Sequence, residues 1–273
     1  MPNPIRTIRV NHINSVLDGY DRTVSHYENL FSGKVILDMP KDLWHANLTD
    51  IGRVIFEVFA PNDFFLFTRY GPHYIGIEVQ VEDLAAAREM CAARGIRVAR
   101  ELGLDVAFHS HPADCHGVSL EMYEGFFHDS PSLHAPMESA DWWRNTHPLG
   151  LDGLRAVTIG VTDLDAGVGD FGALFAHEVA YEQDRPDDGA RAVGLRIADT
   201  IFEIVAPTGD GPLQRHLLAH GEGIRSTVFG VRSLEQATAY FTEREVDLVP
   251  GSAAGRYLIP PAQNLGLIFE FAE

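Results

Sequence analysis

Apolar positions along the chain alternate between a period of two and a period near 3.6, which predicts strands and helices in a fixed order. Residues 7–61 follow the order strand, helix and three strands, and residues 73–124 repeat that order. The helical period is clear at Leu84, Ala87 and Met90, which share one face. The predicted strands are 7–17, 34–39, 44–50, 53–60, 74–81, 96–101, 105–110 and 117–123, and the predicted helices are 20–32 and 83–94.

The pattern of the first half returns in the second half of the chain. IFEVFAP at 55–61 recurs as IFEIVAP at 201–207, an offset of 146 residues, and GVSLEMY recurs as GLIFEFA 149 residues later. A small, ordered drift in offset is what loop insertions leave between two copies of one unit. We therefore expect two homologous domains, 1–128 and 151–273, each built from two βαβββ modules.

The segment between the two copies, 129–150, has the composition of a linker. It is rich in Pro, Ser and His and shows no periodicity. Trp142 and Trp143 near its end indicate that this linker packs against a domain.

Charge and composition exclude several classes of function. The chain has 273 residues, 45% of them hydrophobic, and its formal net charge of −18 disfavours nucleic-acid binding, which needs clustered Lys and Arg. No apolar run approaches the about 18 residues of a membrane span, and the N-terminal residues lack a secretory signal. Cys91 and Cys115 fit a reducing compartment, and neither lies in a nucleophile pattern. We expect a cytoplasmic protein that binds a small molecule.

The end of the second module carries a more specific motif. HPADCHGVSLE at 111–121 matches every fixed position of HP-x-D-x-x-G-V-x-x-E, the pattern that closes the second module in methylmalonyl-CoA epimerase-like proteins. With its tandem modules and this motif, the chain resembles the vicinal oxygen chelate superfamily. That superfamily also includes glyoxalases, extradiol dioxygenases and metal-free bleomycin-resistance proteins. The resemblance covers nearly the whole chain. It implies an α+β fold in which four modules form two tandem domains with curved mixed sheets.

The resemblance also implies a metal site in the first domain. In this family each domain forms a trough, and the ligands come from the first and last strands of its two modules. Carried over position by position, the ligands are His12, Glu57 and Glu121. The fourth position is Gly76, so the nearest imidazole, His73, is the candidate for the last ligand. The alternatives are a water molecule or one of the loop residues His109, His111 and His116.

The second domain lacks the imidazoles of such a site. Its equivalent positions are Ala156, Glu203, Ser226 and Glu270. Two carboxylates without imidazoles make a weak site for a transition metal, so we expect one divalent ion (Fe, Mn, Co, Ni or Zn), in the first domain. The presence of Glu203 leaves open that Glu57, its counterpart, is instead a hydrogen-bonded structural carboxylate.

The resemblance implies a metal-dependent enzyme. Its metal would chelate neighbouring oxygens of a small substrate and stabilise an enolate, with Glu57 or Glu121 moving the proton as general base. The expected reaction class is an isomerase, an epimerase or a lyase, and a homodimer is compatible with the sequence. One alternative is a metal-free protein that binds an aromatic compound. Another is an Fe(II)-dependent extradiol-type dioxygenase, which is disfavoured because those of similar length carry His-His-Glu in the second domain, where this chain has no such set.

Overall fold

Two eight-stranded mixed sheets form the protein. The computed structural model describes residues 2–40, 42, 45–60, 71–102, 106–125 and 133–273, with Asn11 and Leu102 described without their side chains. None of the helices in these ranges is long and apolar enough to cross a membrane.

The first sheet and its two helices come from the first half of the chain. Its elements are β1 (Thr7–Val16), α1 (Tyr20–Phe31), β2 (Lys34–Pro40), β3 (His45–Ile51), β4 (Val54–Ala60), β5 (His73–Val81), α2 (Leu84–Ala93), β6 (Val98–Leu102), β7 (Ala107–Ser110) and β8 (Ser119–Tyr123). The strand order is β2-β3-β4-β1-β5-β8-β7-β6. The two modules join where β1 pairs antiparallel with β5, and each module closes with a parallel pair, β1 with β4 and β5 with β8.

The second sheet repeats this topology. Its elements are β9 (Leu151–Gly160), α3 (Leu164–Leu174), β10 (Glu178–Arg185), β11 (Ala190–Ile197), β12 (Thr200–Pro207), α4 (Pro212–His220), β13 (Gly223–Val231), α5 (Leu234–Thr242), β14 (Val249–Pro250), β15 (Arg256–Leu258) and β16 (Phe269–Ala272). The strand order is β10-β11-β12-β9-β13-β16-β15-β14. The predicted α+β fold of four βαβββ modules is therefore confirmed.

Local sequence sets where the helices begin. Asp83 caps α2 by accepting a hydrogen bond from Ala86 N at 2.8 Å, and Asp163 caps α3 through Ala166 N at 3.0 Å. Ser233 caps α5 in the same way. Each cap stabilises its helix by about 1 kcal/mol. Because each cap follows closely on a strand, the helix is directed back onto its own sheet.

Alternate residues of the central strands face a core that both sheets share. The ring of Phe56 on β4 lies 4.9 Å from Phe269 of β16 and 5.8 Å from Phe229 of β13, between ring centroids. Tyr27 of α1 stacks on Phe269 at 6.0 Å. Since side chains alternate across a strand, the residues between these core positions face the other side of each sheet. We call that other side the trough of each domain.

Apolar residues cover part of each trough. In the first domain Leu133 and Met137 of the linker pack against Ile36, Leu48 and Ile55. In the second domain helix α4 packs on β11 and β12. The linker is thus part of the wall of the first trough.

The linker is held by polar contacts as well, which agrees with the packing expected from its two tryptophans. Trp143 is buried, and its Nε1 lies 3.5 Å from Asp50 Oδ2. Glu138 N donates to the same oxygen at 3.0 Å.

Both cysteines are free and buried. Burial raises the pKa of Cys91 to about 12 and the pKa of Cys115 to about 11, so both thiols stay protonated at neutral pH. Cys115 lies in the loop before β8, and its protonation supports the inert role expected from the sequence.

Candidate functional site

Four polar side chains form one row across the trough of the first domain. His12 on β1 lies opposite Glu78 on β5, Glu78 lies beside Glu121 on β8, and Glu121 lies opposite His109 on β7. Residues paired directly across strands share a face of the sheet, so these side chains point the same way. All four are buried, each with 5% or less of its surface exposed.

A second row lies two residues further along the same strands. Asn14 lies beside Glu57 on β4 and opposite Gly76 on β5. Asn14 is fully buried, whereas Glu57 is half-buried. Gly76 is required by its neighbour, because a Cβ there would lie 2.2 Å from the carbonyl oxygen of Ser119. This row places Glu57 on the same face as the first row.

Three carboxylates converge where the two rows meet. One oxygen from each of Glu57, Glu78 and Glu121 lies within 4.8 Å of the other two. His12 Nδ1 hydrogen-bonds a Glu78 oxygen, and His109 Nε2 lies 3.0 Å from Glu121 Oε2. We call these five residues the carboxylate cluster.

Burial sets the protonation of this cluster. It raises the pKa of Glu121 to about 7, although the charge of Arg100 and a 3.5 Å hydrogen bond from Asn14 Nδ2 oppose the shift. Burial also lowers the pKa of His109 to about 3, and Arg100 adds to this effect. The imidazole of His109 is therefore neutral, the form in which a histidine can ligate a metal.

The donor set fits a divalent metal ion. Carboxylate oxygens suit Mn²⁺ and Mg²⁺, and neutral imidazole adds affinity for Fe²⁺ or Zn²⁺. A cation would also offset the repulsion among three carboxylates held close together in a buried site. Asn14 Oδ1 and His109 Nδ1 are buried, and neither makes a hydrogen bond within the described part of the chain. The site therefore contains two unsatisfied polar atoms in addition to the three carboxylates.

The fold and the trough can be compared with known structures. A mutant of 4-hydroxymandelate synthase from Streptomyces coelicolor matches with a TM-score of 0.72 over 97% of this chain and 92% of that chain, at 14% sequence identity. The fold is that of the tandem vicinal oxygen chelate proteins. Methylmalonyl-CoA epimerase from Mycobacterium tuberculosis matches over 44% of this chain and 87% of that chain, with a TM-score of 0.42 and 22% identity. No protein-family model matches the sequence, and no curated protein does.

Within this vicinal oxygen chelate fold, the structure brings His12, Glu57 and Glu121 together but places His73 elsewhere. His73 opens β5 opposite Val16, and its Nδ1 donates to the Gly71 carbonyl oxygen at 2.7 Å. It precedes Glu78 by five positions, about 16 Å along a strand, and it pairs with Val16 beyond a register shift between Gly76 and Tyr74, so it lies at the end of β5 away from the cluster. His73 is thus not among the residues that the structure brings together, and its selection as fourth ligand stays a prediction.

Glu78 is the member of the cluster that the sequence analysis missed. It lies two residues after Gly76, on the same face, and its carboxylate meets that of Glu57. The sequence contained a signal for it. Glu78 interrupts the apolar run IEVQV in the way that Glu57 interrupts IFEVFAP.

The three alternative histidines separate in the structure. Only His109 joins the cluster. His111 lies outside it and accepts a hydrogen bond from Ala113 N at 3.2 Å through its Nδ1. His116 bridges the two domains instead, with its Nδ1 2.9 Å from Glu222 and its Nε2 3.0 Å from Asp170.

Two arginines fill the trough of the second domain. Arg185 and Arg256 each direct two guanidinium nitrogens at Glu203, and those of Arg256 lie 2.7 and 3.0 Å from its oxygens. Thr158 Oγ1 donates to the same carboxylate at 2.7 Å. Arg256 also contacts Glu270 Oε2 at 3.3 Å. Two positive charges thus balance two negative charges in this trough.

The arginines determine the charge of Glu203. Burial alone would raise its pKa, but Arg256 and Arg185 outweigh burial and hold the pKa of Glu203 well below its usual value. The register that places Glu78 beside Glu121 in the first sheet places Val228 beside Glu270 in the second. The absence of a metal from the second domain stays a prediction, and the guanidinium groups supply a physical reason for it.

Proposed function

We propose that the first domain binds one divalent metal ion through Glu57, Glu78 and Glu121 and transfers a proton at a carbon next to a carbonyl group of a small oxygenated substrate. The observation that supports this proposal is the convergence of three carboxylates within 4.8 Å, two of them buried, on one face of the sheet. The reaction class is an isomerisation or epimerisation, and a lyase would share its first proton transfer. A bound ion would supply a Lewis acid that polarises the substrate oxygens.

The surrounding side chains hold two of the carboxylates in place. His12 contacts Glu78, while His109 and Asn14 both contact Glu121. Because the five side chains of the carboxylate cluster all project from paired strands, their spacing is set by the hydrogen-bonded sheet rather than by a loop. This rigidity favours a fixed donor geometry.

Glu57 is the residue that we assign as general base. Glu78 and Glu121 are buried and each contacts an imidazole, whereas Glu57 is half-buried and can be reached from the trough. Its carboxylate accepts the proton, and the electrons of the C–H bond move toward the adjacent carbonyl group. The proton then returns to the same carbon or to a neighbouring atom, so no further reactant is consumed.

Metal binding tests the proposal directly. Protein purified without a histidine tag and dialysed against Mn²⁺ is expected to retain one ion per chain, measured by plasma mass spectrometry. Glu78→Gln and Glu121→Gln each remove one anionic ligand and should weaken Mn²⁺ binding about 100-fold or more.

The matched control is Glu82→Gln, because Glu82 follows the same strand but has a largely exposed side chain. This variant should bind Mn²⁺ like the unchanged protein. Failure of the unchanged protein to bind Mn²⁺, Fe²⁺ or Zn²⁺ would overturn the proposal and favour a metal-free binding protein.

A further inference from the structure

A third row of polar residues lies in the same trough, beyond the carboxylate cluster. Arg9 on β1 lies opposite Gln80 on β5, and Gln80 lies beside Tyr123 on β8. The intervening residues Val79 and Met122 belong to the core on the other face. We call Arg9, Gln80 and Tyr123 the distal row.

A bulge in β1 makes this row possible. Arg9 and His12 are three residues apart and would face opposite sides of a regular strand. The register shifts between Val10 and His12, so that Arg9 pairs with Gln80 and His12 still pairs with Glu78. Both side chains therefore face the trough.

The phenol of Tyr123 is buried but makes no hydrogen bond within the described part of the chain. Only 5% of Tyr123 is exposed, and its hydroxyl is unsatisfied there. An unsatisfied buried hydroxyl costs about 1–3 kcal/mol. A tyrosine hydroxyl can donate one hydrogen bond.

Among the described residues of this row, Arg9 is the cation. Asp199 accepts hydrogen bonds from Val10 N at 2.9 Å and from Thr200 Oγ1 at 3.3 Å. Gln80 Nε2 donates to a backbone carbonyl oxygen. Arg9 is half-buried and shares the row with Tyr123, and its guanidinium makes no hydrogen bond or ion pair among the described residues. The distal row thus offers a phenol donor and a guanidinium donor.

We propose that the distal row binds a carboxylate group of the substrate, so that the substrate is a small dicarboxylic acid with an oxo group at its other end. This inference rests on the proposed function, which places the oxo end at the carboxylate cluster. Rows two residues apart on a strand are separated by about 7 Å, a distance that a five-carbon chain with a carboxylate at each end can span. A carboxylate accepts hydrogen bonds from the Tyr123 hydroxyl and the Arg9 guanidinium, and it balances the positive charge of Arg9.

Two probes with the same oxo-acid end test this assignment. 2-Oxoglutarate carries a distal carboxylate and 2-oxobutyrate does not, and their binding to the Mn²⁺-loaded protein can be compared by calorimetry. We expect 2-oxoglutarate to bind at least about tenfold more tightly than 2-oxobutyrate, because a charge-assisted hydrogen bond stabilises a complex by that much. Tyr123→Phe and Arg9→Gln should each reduce this preference toward unity and leave the binding of 2-oxobutyrate and of Mn²⁺ unchanged.

The controls are Tyr257→Phe, on the exposed face of β15, and Arg6→Gln, whose side chain is largely exposed. Both should keep the preference for 2-oxoglutarate. Equal affinity of the unchanged Mn²⁺-loaded protein for the two probes overturns the inference and leaves the proposed function standing.

A failure of the proposed function is distinguished from this outcome, because the unchanged protein would then not bind Mn²⁺. In that case the distal row is judged with glutarate and the metal-free protein, by saturation-transfer NMR. Glutarate binding that Arg9→Gln weakens supports a carboxylate site, and no glutarate binding overturns it.

Discussion

Glu57 and Glu203 occupy the same register position in the two sheets, and their partners give them different roles. Glu57 lies beside Asn14 and meets two further carboxylates. Glu203 lies beside Thr158 and is enclosed by two guanidinium groups. A carboxylate buried with arginines is a structural ion pair, whereas three carboxylates held close together form a set of donors that a bound cation would stabilise. The same residue type therefore serves stability in one domain and is our candidate for chemistry in the other.

The role of Glu203 predicts a stability effect at residue scale. Glu203→Gln leaves Arg185 and Arg256 buried without their counter-charge, so we expect the free energy of unfolding at pH 7 to fall by about 3–5 kcal/mol. Urea denaturation of both proteins measures the difference. The matched control is Glu182→Gln, an exposed partner of Arg191, which should change stability by less than about 1 kcal/mol.

This effect should depend on pH in one direction. The folded-state pKa of Glu203 is depressed, so its contribution is fully present above the usual carboxyl pKa of 4.5 and is lost as the pH falls through the lower folded value. The difference between Glu203→Gln and the unchanged protein should therefore be constant from pH 8 to pH 6 and shrink only in strong acid. A difference that grew as the pH fell would contradict the depressed pKa.

At the scale of elements, strand β5 organises the site. Its trough face presents Gly76, Glu78 and Gln80 in succession, one for each row. Glycine at the first of these positions lets β5 and β8 approach closely, and the acid at the second joins the cluster. The strand thus couples sheet packing to the placement of the carboxylates.

Gly76→Ala tests this coupling. Its Cβ would lie 2.2 Å from the Ser119 carbonyl oxygen, a backbone atom that cannot yield without moving β8. We expect a loss of about 1–3 kcal/mol in stability, measured by thermal unfolding, together with weaker Mn²⁺ binding. Gly169→Ala is the control, because α3 offers open space at that position, and it should be neutral or stabilising. Unchanged stability of Gly76→Ala would show that the two strands can separate freely.

At the scale of the whole molecule, one core joins the two domains. Phe269 of the second sheet lies within 6.0 Å of rings from the first domain, measured between centroids, with Phe56 nearest at 4.9 Å. Tyr74 OH also donates to the Ile268 carbonyl oxygen at 2.9 Å across the boundary. Contacts of this kind favour unfolding of both domains together.

Phe269→Ala should show this cooperation. Removal of the fully buried ring is expected to cost about 3–5 kcal/mol and to lower the melting temperature while a single calorimetric transition remains. Leu218→Ala is the control, since Leu218 is 77% exposed, and it should leave the transition in place. Two separate transitions in Phe269→Ala would indicate domains that are stable independently.

The sequence by itself determined the modules, their order and the fold, because these depend on local periodicity and on similarity between the two halves. The family resemblance also selected His12, Glu57 and Glu121, which lie on neighbouring strands of the sheet, and their role as metal ligands stays a prediction. His73 was selected and Glu78 was missed because the register of β5 and the close approach at Gly76 depend on pairing partners distant in sequence.

Only the tertiary structure decided what surrounds each acid. Arg185 and Arg256 reach Glu203 from β10 and β15, strands whose side chains meet only after the second sheet has formed. The bulge that turns Arg9 into the first trough is likewise set by register between strands, not by local sequence. Electrostatic roles depend on distances of a few ångströms between remote residues, and these are fixed by sheet geometry rather than by the pattern along the chain.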